Sequence, residues 1–98
     1  MNLDFFEEAS EEVEQHRAWY RERSETAETA FLRELDRAVD LVLETPQRWP
    51  RYLAGTQRYV FRTFPFSLVY FVENERLNVV AIAHGKRRPG YWVKRLKK

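Results

Sequence analysis

The basic second half of the chain carries the residues whose types and spacing could do chemistry. Metal-free cleavage of RNA needs a base for the 2′-hydroxyl, cations for the crowded phosphate and an acid for the leaving oxygen. His84 could transfer protons near neutral pH, and Tyr91 could donate a proton or stack on a base. Arginine presents planar, bidentate donors to phosphate. The cations that could serve are Arg58, Arg62, Lys86, Arg87 and Arg88.

Structural interpretations compete with the chemical one for several of these side chains. His84 ends a predicted strand, and a role in ordering the segment after it is favoured over catalysis. Arg58 could equally anchor its strand to the C-terminal tail. Tyr91 and Trp92 precede Arg95, and their rings are predicted to pack the tail back on the sheet.

The charge of the chain is distributed unevenly between its halves. The formal net charge is +2, but residues 1–50 hold thirteen acids and six bases, whereas residues 51–98 hold two acids and eleven bases. The second half therefore predicts a basic face. Such a face could attract nucleic acid, dock an acidic protein partner or only keep the protein in solution.

Composition limits the class of protein. A length of 98 residues predicts one domain, residues 1–98, and 44% hydrophobic residues predict that it folds. The chain has no cysteine and two histidines without metal-ligand spacing, so we expect no disulfide, no metal site and no cofactor. The opening does not resemble a signal peptide, and the apolar runs Leu68–Val72 and Val79–Ala83 are too short to span a bilayer. We expect a cytoplasmic protein without membrane contact.

The elements that must position these residues begin with two helices. Polar and apolar residues alternate in Asn2–Phe5, which predicts a short edge strand before the helices. A pattern of apolar residues at helical spacing then predicts the first helix from Glu7 to about Arg23. Ser24 is a suitable N-cap for a second amphipathic helix from about Glu25 to Glu44, which Pro46 stops. Two helices joined by so short a turn form an antiparallel hairpin, and each needs a flat surface to cover.

Three strands are predicted to supply that surface. Gln57–Phe64, Leu68–Val72 and Leu77–Ala83 are strand-like and joined by short turns, so they form an antiparallel meander. The two later strands are apolar on both faces and therefore central. The last segment, His84–Lys98, is predicted to lie along the end of the sheet as an irregular or short helical basic tail. The predicted fold class is α+β, with an edge strand and a helical hairpin packed on the meander.

Three motifs follow one another in the second half of the chain. They are Gly55-Thr56-Gln57-Arg58, then Phe64-Pro65-Phe66 with Tyr70, then His84-Gly85-Lys86-Arg87-Arg88-Pro89-Gly90-Tyr91-Trp92 with Arg95. This ordered set resembles the signature of the RelE/ParE superfamily of toxins, in which a "G…R" strand leads into an "fPy…Y" strand and the last strand closes on "H…R.P.yw..R". The predicted helices fall where that superfamily has them, so the resemblance covers nearly the whole chain.

The resemblance implies a toxin of a type II toxin–antitoxin system, with a cognate antitoxin that wraps it and could form a hetero-oligomer with it. RelE-like members cut mRNA on the ribosome, whereas ParE-like members, associated with plasmid stabilisation, poison DNA gyrase. The ending of the chain is closer to the ParE side, and Arg51–Gly55 carries a single base where RelE-like nucleases place lysines. We therefore favour a toxin that acts by binding. An mRNA endonuclease is the alternative, and an inactive member that only binds protein is a third possibility.

Site residues are assigned under both interpretations. If the chain is a nuclease, the predicted catalytic residues are His84, Arg58 and Arg87. The residues predicted to bind the target or the antitoxin are Arg62, Lys86, Arg88, Tyr91, Trp49 and Tyr52. Aromatic side chains near the helix ends and the connecting loop exceed what a small core can hide, which predicts a groove or dimer surface for an antitoxin helix or strand. These aromatic residues are Trp19, Tyr20, Trp49 and Tyr52.

Overall fold

Two helices and one four-stranded sheet make up the fold, which we describe from a computed structural model covering residues 1–97. Lys98, the last residue of the predicted tail, lies outside the described residues. The elements in chain order are β1 (Asn2–Phe5), α1 (Glu7–Arg23), α2 (Glu25–Glu44), β2 (Gln57–Val60), β3 (Phe66–Glu73) and β4 (Arg76–His84). Short 3-10 turns lie at Pro46–Arg48, Leu53–Gly55 and Val93–Lys97.

The helices confirm the bounds that the sequence predicts. Ser24 ends α1 and caps α2, because its side-chain oxygen accepts a hydrogen bond from the backbone N–H of Ala27 at 3.2 Å. Acidic residues occupy the first turn of each helix, where the helix dipole favours negative charge. The two helices pack side by side on one face of the sheet. The apolar stripe that α2 buries there consists of Phe31, Leu35, Ala38 and Val42.

The sheet has the strand order β1-β4-β3-β2. The pairs β2–β3 and β3–β4 are antiparallel, which confirms the predicted meander, and β3 and β4 are central as expected. The N-terminal strand β1 is added at the edge, parallel to β4, so the complete sheet is mixed. No helix within residues 1–97 is both long and apolar enough to cross a membrane.

Strand β2 is shorter than the sequence predicts, because it ends at Val60 and does not continue to Phe64. The backbone N–H groups of Arg62 and Thr63 donate to the carboxylate of Glu34 on α2 instead of to a neighbouring strand. Beyond them Pro65 has no N–H to donate, so the ladder cannot be extended there. The chain therefore loops out between β2 and β3 and is tied to the second helix.

The C-terminal tail crosses the face of the sheet opposite the helices. The prediction that it lies along the end of the sheet is therefore wrong. Trp92 is 1% exposed and packs on Val69, Val80 and Ala81 in a second apolar core. A register shift between Val69 and Tyr70 contributes to this core, since Val69 pairs with Ala81 and Tyr70 with Val79, which leaves Val80 unpaired. The sheet thus lies between a helical layer and a thin layer formed by the tail.

Candidate functional site

A cavity of about 80 Å³ opens between the end of the sheet and the start of the tail. We call it the arginine pocket and define it by five of its lining residues. These residues are Tyr52, Arg58, Arg87, Arg88 and Tyr91. Arg58 lies on β2 and the other two arginines lie on the loop after β4, so residues about 30 positions apart in sequence meet at one place. Within residues 1–97 no carboxylate lines the cavity, and the three arginines make it strongly cationic.

Two of the three arginines are oriented by aromatic rings. The guanidinium carbon of Arg58 lies 4.1 Å from the ring centroid of Tyr52, and that of Arg87 lies 3.8 Å from the ring centroid of Tyr91. Stacking of this kind fixes the plane of a guanidinium group and leaves the N–H donors at its rim available. Among the residues that the structure describes, none forms an ion pair with Arg58, Arg87 or Arg88. The pocket therefore presents oriented cationic donors without an internal counter-ion.

Tyr91 is itself held in place by Glu12 from the first helix. Its hydroxyl donates to the Glu12 carboxylate, which also accepts from the guanidinium of Arg95 at 2.9 Å. Burial and this hydrogen bond raise the pKa of Tyr91 above its ordinary value of 10.0. The ring of Tyr91 therefore stacks with Arg87, while its hydroxyl points to α1 and donates its hydrogen bond to Glu12.

Glu12 also accepts a backbone hydrogen bond from the part of β4 that has no neighbouring strand at the sheet edge. Strand β1 ends at Phe5, opposite Val79, so the following residues of β4 have no strand on that side. Glu12 accepts from the backbone N–H of Ile82 at 3.1 Å. On the same stretch His16 donates from Nε2 to the Ile82 carbonyl at 3.0 Å. Arg95 donates to the Val80 carbonyl at 2.9 Å. Side chains thus replace a missing strand, and the hydrogen-bonding group of His16 at Nε2 is satisfied by the sheet.

His84 lines the arginine pocket, but its ring packs on the helical side of the sheet. The ring stands edge-on to Phe66, with centroids 5.3 Å apart, and Nδ1 accepts from the backbone N–H of Lys86 at 3.0 Å. A neutral imidazole whose Nδ1 accepts carries its proton on Nε2, so Nε2 is a donor. The contact is the one expected of a residue that orders the start of the tail. Lys86 itself is exposed in that turn.

Arg62 and Trp49 do not line the arginine pocket, although both are predicted to bind the target or the antitoxin together with residues that do. Arg62 lines a groove of about 800 Å³ beside α2, together with Arg33 and Arg37. The ring of Trp49 packs edge-on against Tyr59, with centroids 4.7 Å apart. The predicted basic patch is therefore divided, since the sheet separates the arginine pocket from the groove of Arg62.

The four aromatic residues predicted to share one surface form two pairs at different places. Trp19 is 51% exposed at the end of α1, whereas Tyr20 stacks on Phe31 in the helical core. Trp49 and Tyr52 line one groove of about 620 Å³ beside β2, and Tyr52 also lines the arginine pocket. Among the described residues, no single groove is lined by all four, but the predicted pair Trp49 and Tyr52 does share one surface.

Glu12 is 7% exposed and is not among the predicted site residues. Its position carried a signal, because Ala9, Glu12 and His16 follow one another at steps of three and four residues and so share the inner face of α1. A carboxylate on such a face requires a partner. No cluster of histidine and acidic side chains able to hold a metal ion lies within the described part of the chain.

Comparison with known proteins places this geometry in a family context. Residues 3–89 match the family model described as the ParE toxin of the type II toxin–antitoxin system, parDE. None of the curated proteins compared with the chain matches it. A chain of the chromosomal ParDE TA system from P. aeruginosa has a similar structure, with a TM-score of 0.74 at 16% identity, covering 86% of this chain and 95% of that one. The isolated E. coli RelE toxin is also similar, with a TM-score of 0.57 at 25% identity over 97% of each chain.

Proposed function

Since the chain belongs to the ParE toxin family of type II toxin–antitoxin systems, we propose that it arrests growth by binding a target of the DNA gyrase type in the cytoplasm. A cognate antitoxin neutralises it. The binding surface is centred on the arginine pocket, where Arg58, Arg87 and Arg88 present unpaired cationic donors. A partner with acidic or phosphate groups fits such a surface, because it supplies the missing counter-charge.

One observation supports binding over cleavage: both candidates for proton transfer at the pocket are engaged elsewhere. The Nδ1 atom of His84 accepts from Lys86, which leaves no acceptor at Nε2 of the neutral ring. The Tyr91 hydroxyl donates to Glu12 and has a raised pKa. Metal-free RNA cleavage needs a group that accepts the 2′-hydroxyl proton, and arginine does not accept protons. The pocket has the cations of a nuclease without its base.

A ribosome-dependent mRNA endonuclease is the second candidate function. The similarity to the E. coli RelE toxin over 97% of each chain favours it, as do the three arginines that could surround a phosphate. This function would require Tyr91 or His84 to exchange its present hydrogen bond for one to the substrate.

Induced expression of the chain without antitoxin tests the two candidates together. We expect growth arrest and an induced DNA-damage response with intact mRNA, and inhibition of supercoiling when the purified chain is added to gyrase. The double variant Arg58→Ala and Arg87→Ala should lose these effects. The matched control is Arg33→Ala and Arg37→Ala, which removes two arginines from the groove beside α2. Cuts at codon boundaries in primer extension, with gyrase unaffected, would refute the binding mechanism and support the endonuclease.

A further inference from the structure

A second cavity, of about 390 Å³, lies on the helical side of the sheet. It opens between the C-terminal half of α1 and the start of β3. We call it the histidine pocket and define it by Gln15, His16, Trp19, Phe66 and His84. Both histidines of the chain line it. Its volume lies in the range of small-molecule sites. Among the described residues, the groove beside α2 shares none of its lining, and the arginine pocket shares only His84.

The hydrogen bonds of the two histidines fix what each can offer to a ligand. His16 must carry its proton on Nε2, because that atom donates to the carbonyl of Ile82, so Nδ1 is left as an acceptor. Burial lowers the pKa of His16 and keeps the ring neutral. His84 accepts at Nδ1 from the N–H of Lys86, so its Nε2–H is left as a donor. Gln15 adds an amide with both a donor and an acceptor. The pocket thus contains donors and acceptors between aromatic rings.

The walls and rim of the pocket suit a planar, negatively charged ligand. The rings of His16 and Phe66 lie 4.2 Å apart and form one wall. Trp19 lines the pocket and is half exposed, so a base would stack on the face of its ring opposite Arg23. The guanidinium carbon of Arg23 lies 3.4 Å from the centroid of that ring, and Arg23 also donates to the Trp19 carbonyl at 2.7 Å. The backbone N–H of Lys86 lies 3.0 Å from Nδ1 of His84, so Lys86 adjoins the pocket without lining it.

We propose that the histidine pocket binds a nucleobase that carries a phosphate, either as a free mononucleotide or as an unpaired nucleotide of a strand. A nucleobase is planar and has both donors and acceptors along one edge. It can therefore donate to Nδ1 of His16 and accept from the Nε2–H of His84. Its phosphate would extend toward Arg23 or Lys86, which adjoin the lining residues Trp19 and His84. An aliphatic or phenyl side chain of a protein would fill the same space but leave the polar atoms unpaired, at a cost.

The proposal does not depend on the proposed target. The arginine pocket can bind a target whether or not the histidine pocket is occupied, since the two open on opposite sides of the sheet. Only His84 lines both.

Calorimetric titration with AMP, GMP, CMP and UMP, and with a single-stranded octanucleotide, tests the proposal. We expect saturable binding, and affinity roughly tenfold weaker for Trp19→Ala, because stacking of a base on an aromatic ring contributes substantially. Trp19→Phe should restore most of the affinity. Val60→Ala is the control, since Val60 is a similarly exposed apolar residue on β2. Binding of mononucleotides alone identifies a free nucleotide as the ligand, whereas tighter binding of the octanucleotide identifies a strand.

The proposal is overturned if no probe shows saturable binding at millimolar concentration. It is also overturned if Trp19→Ala binds nucleotides with the same affinity as the unmodified chain. Competition by N-acetylphenylalanine amide at equal concentration would likewise overturn it, because it would identify a docking site for a protein side chain. If nucleotide binding fails while growth arrest and gyrase inhibition persist, only this inference falls. If Trp19→Ala loses nucleotide binding but still arrests growth, the two functions are separate.

Discussion

Glu12 and Arg95 lie 83 residues apart in sequence and form an ion pair of 2.9 Å at the edge of the sheet. The side chain of Glu12 is 9% exposed and that of Arg95 is 15% exposed, so water screens the pair only weakly. The pair joins the helical layer to the tail layer around the edge of β4. Through the Tyr91 hydroxyl, the same carboxylate fixes the ring on which Arg87 stacks. A residue of the first helix thereby positions an arginine of the candidate site.

Replacement of Glu12 by Gln should destabilise the fold by about 3 kcal/mol, since it leaves the Arg95 cation buried without its counter-ion. Thermal or urea unfolding measures this change. Glu14→Gln is the matched control: Glu14 pairs with Arg17 at an exposed position, so its replacement should change stability far less. Equal effects of the two substitutions would contradict the role given to Glu12.

The stability of the protein should fall as the pH drops below neutrality, in part because of His16. Burial is the main cause that lowers its folded-state pKa below the ordinary value of 6.5, helped by His84 and Arg87 and opposed by Ile82 and Glu12. Below pH 6.5 the unfolded chain therefore binds the proton first, and the free energy of unfolding decreases until the folded pKa is passed.

His16→Gln isolates this contribution, because its amide can still donate to the Ile82 carbonyl but does not titrate. Urea unfolding between pH 7.5 and 5.5 should show a smaller loss of stability for the variant than for the unmodified chain. If the free energy of unfolding fell equally with pH in the variant and in the unmodified chain, the pKa of His16 would be the same in the folded and unfolded states.

Tyr70 should contribute to stability at neutral pH and lose that contribution in alkali. Its hydroxyl is buried and donates to the Pro46 carbonyl, and burial raises its pKa to about 12. Since the folded pKa is raised, the contribution is complete below pH 10 and declines as the pH rises toward 12. Tyr70→Phe should cost about 1 kcal/mol at pH 7, and the difference from the unmodified chain should narrow above pH 10. A constant difference across that range would be evidence against the raised pKa.

Arg58→Lys should weaken the toxin although it keeps the charge. A lysine ammonium lacks the planar fork that stacks on Tyr52, and the loss of such a contact corresponds to about 1 kcal/mol, or about fivefold in target affinity. Gyrase inhibition as a function of toxin concentration measures it. Arg37→Lys in the groove beside α2 should leave inhibition unchanged. Full activity of Arg58→Lys, with an unaltered melting temperature, would mean that only charge matters at this position.

The sequence by itself determined the local structure and the family. Helix bounds follow from apolar spacing at 3.6 residues, from Ser24 as a cap and from Pro46 as a stop, all of which act within a few residues. The order β2, β3, β4 follows from short turns that permit antiparallel pairing alone. Strand β2 was predicted too long, because its end depends on the carboxylate of Glu34, 28 residues away from Arg62 in the chain.

Only the tertiary structure decided which chemical groups meet. The sequence places Arg58, Arg62 and His84 together on a basic half, but in the fold only Arg58 and His84 line the arginine pocket. Arg62 lies in the loop tied to α2 and lines the groove beside that helix. The position of the tail was likewise undetermined, because it depends on the bulge at Val80 and on the buried pair of Glu12 with Arg95. Periodicity along the chain carries no information about such long-range contacts, whose energies are set by burial in the folded protein.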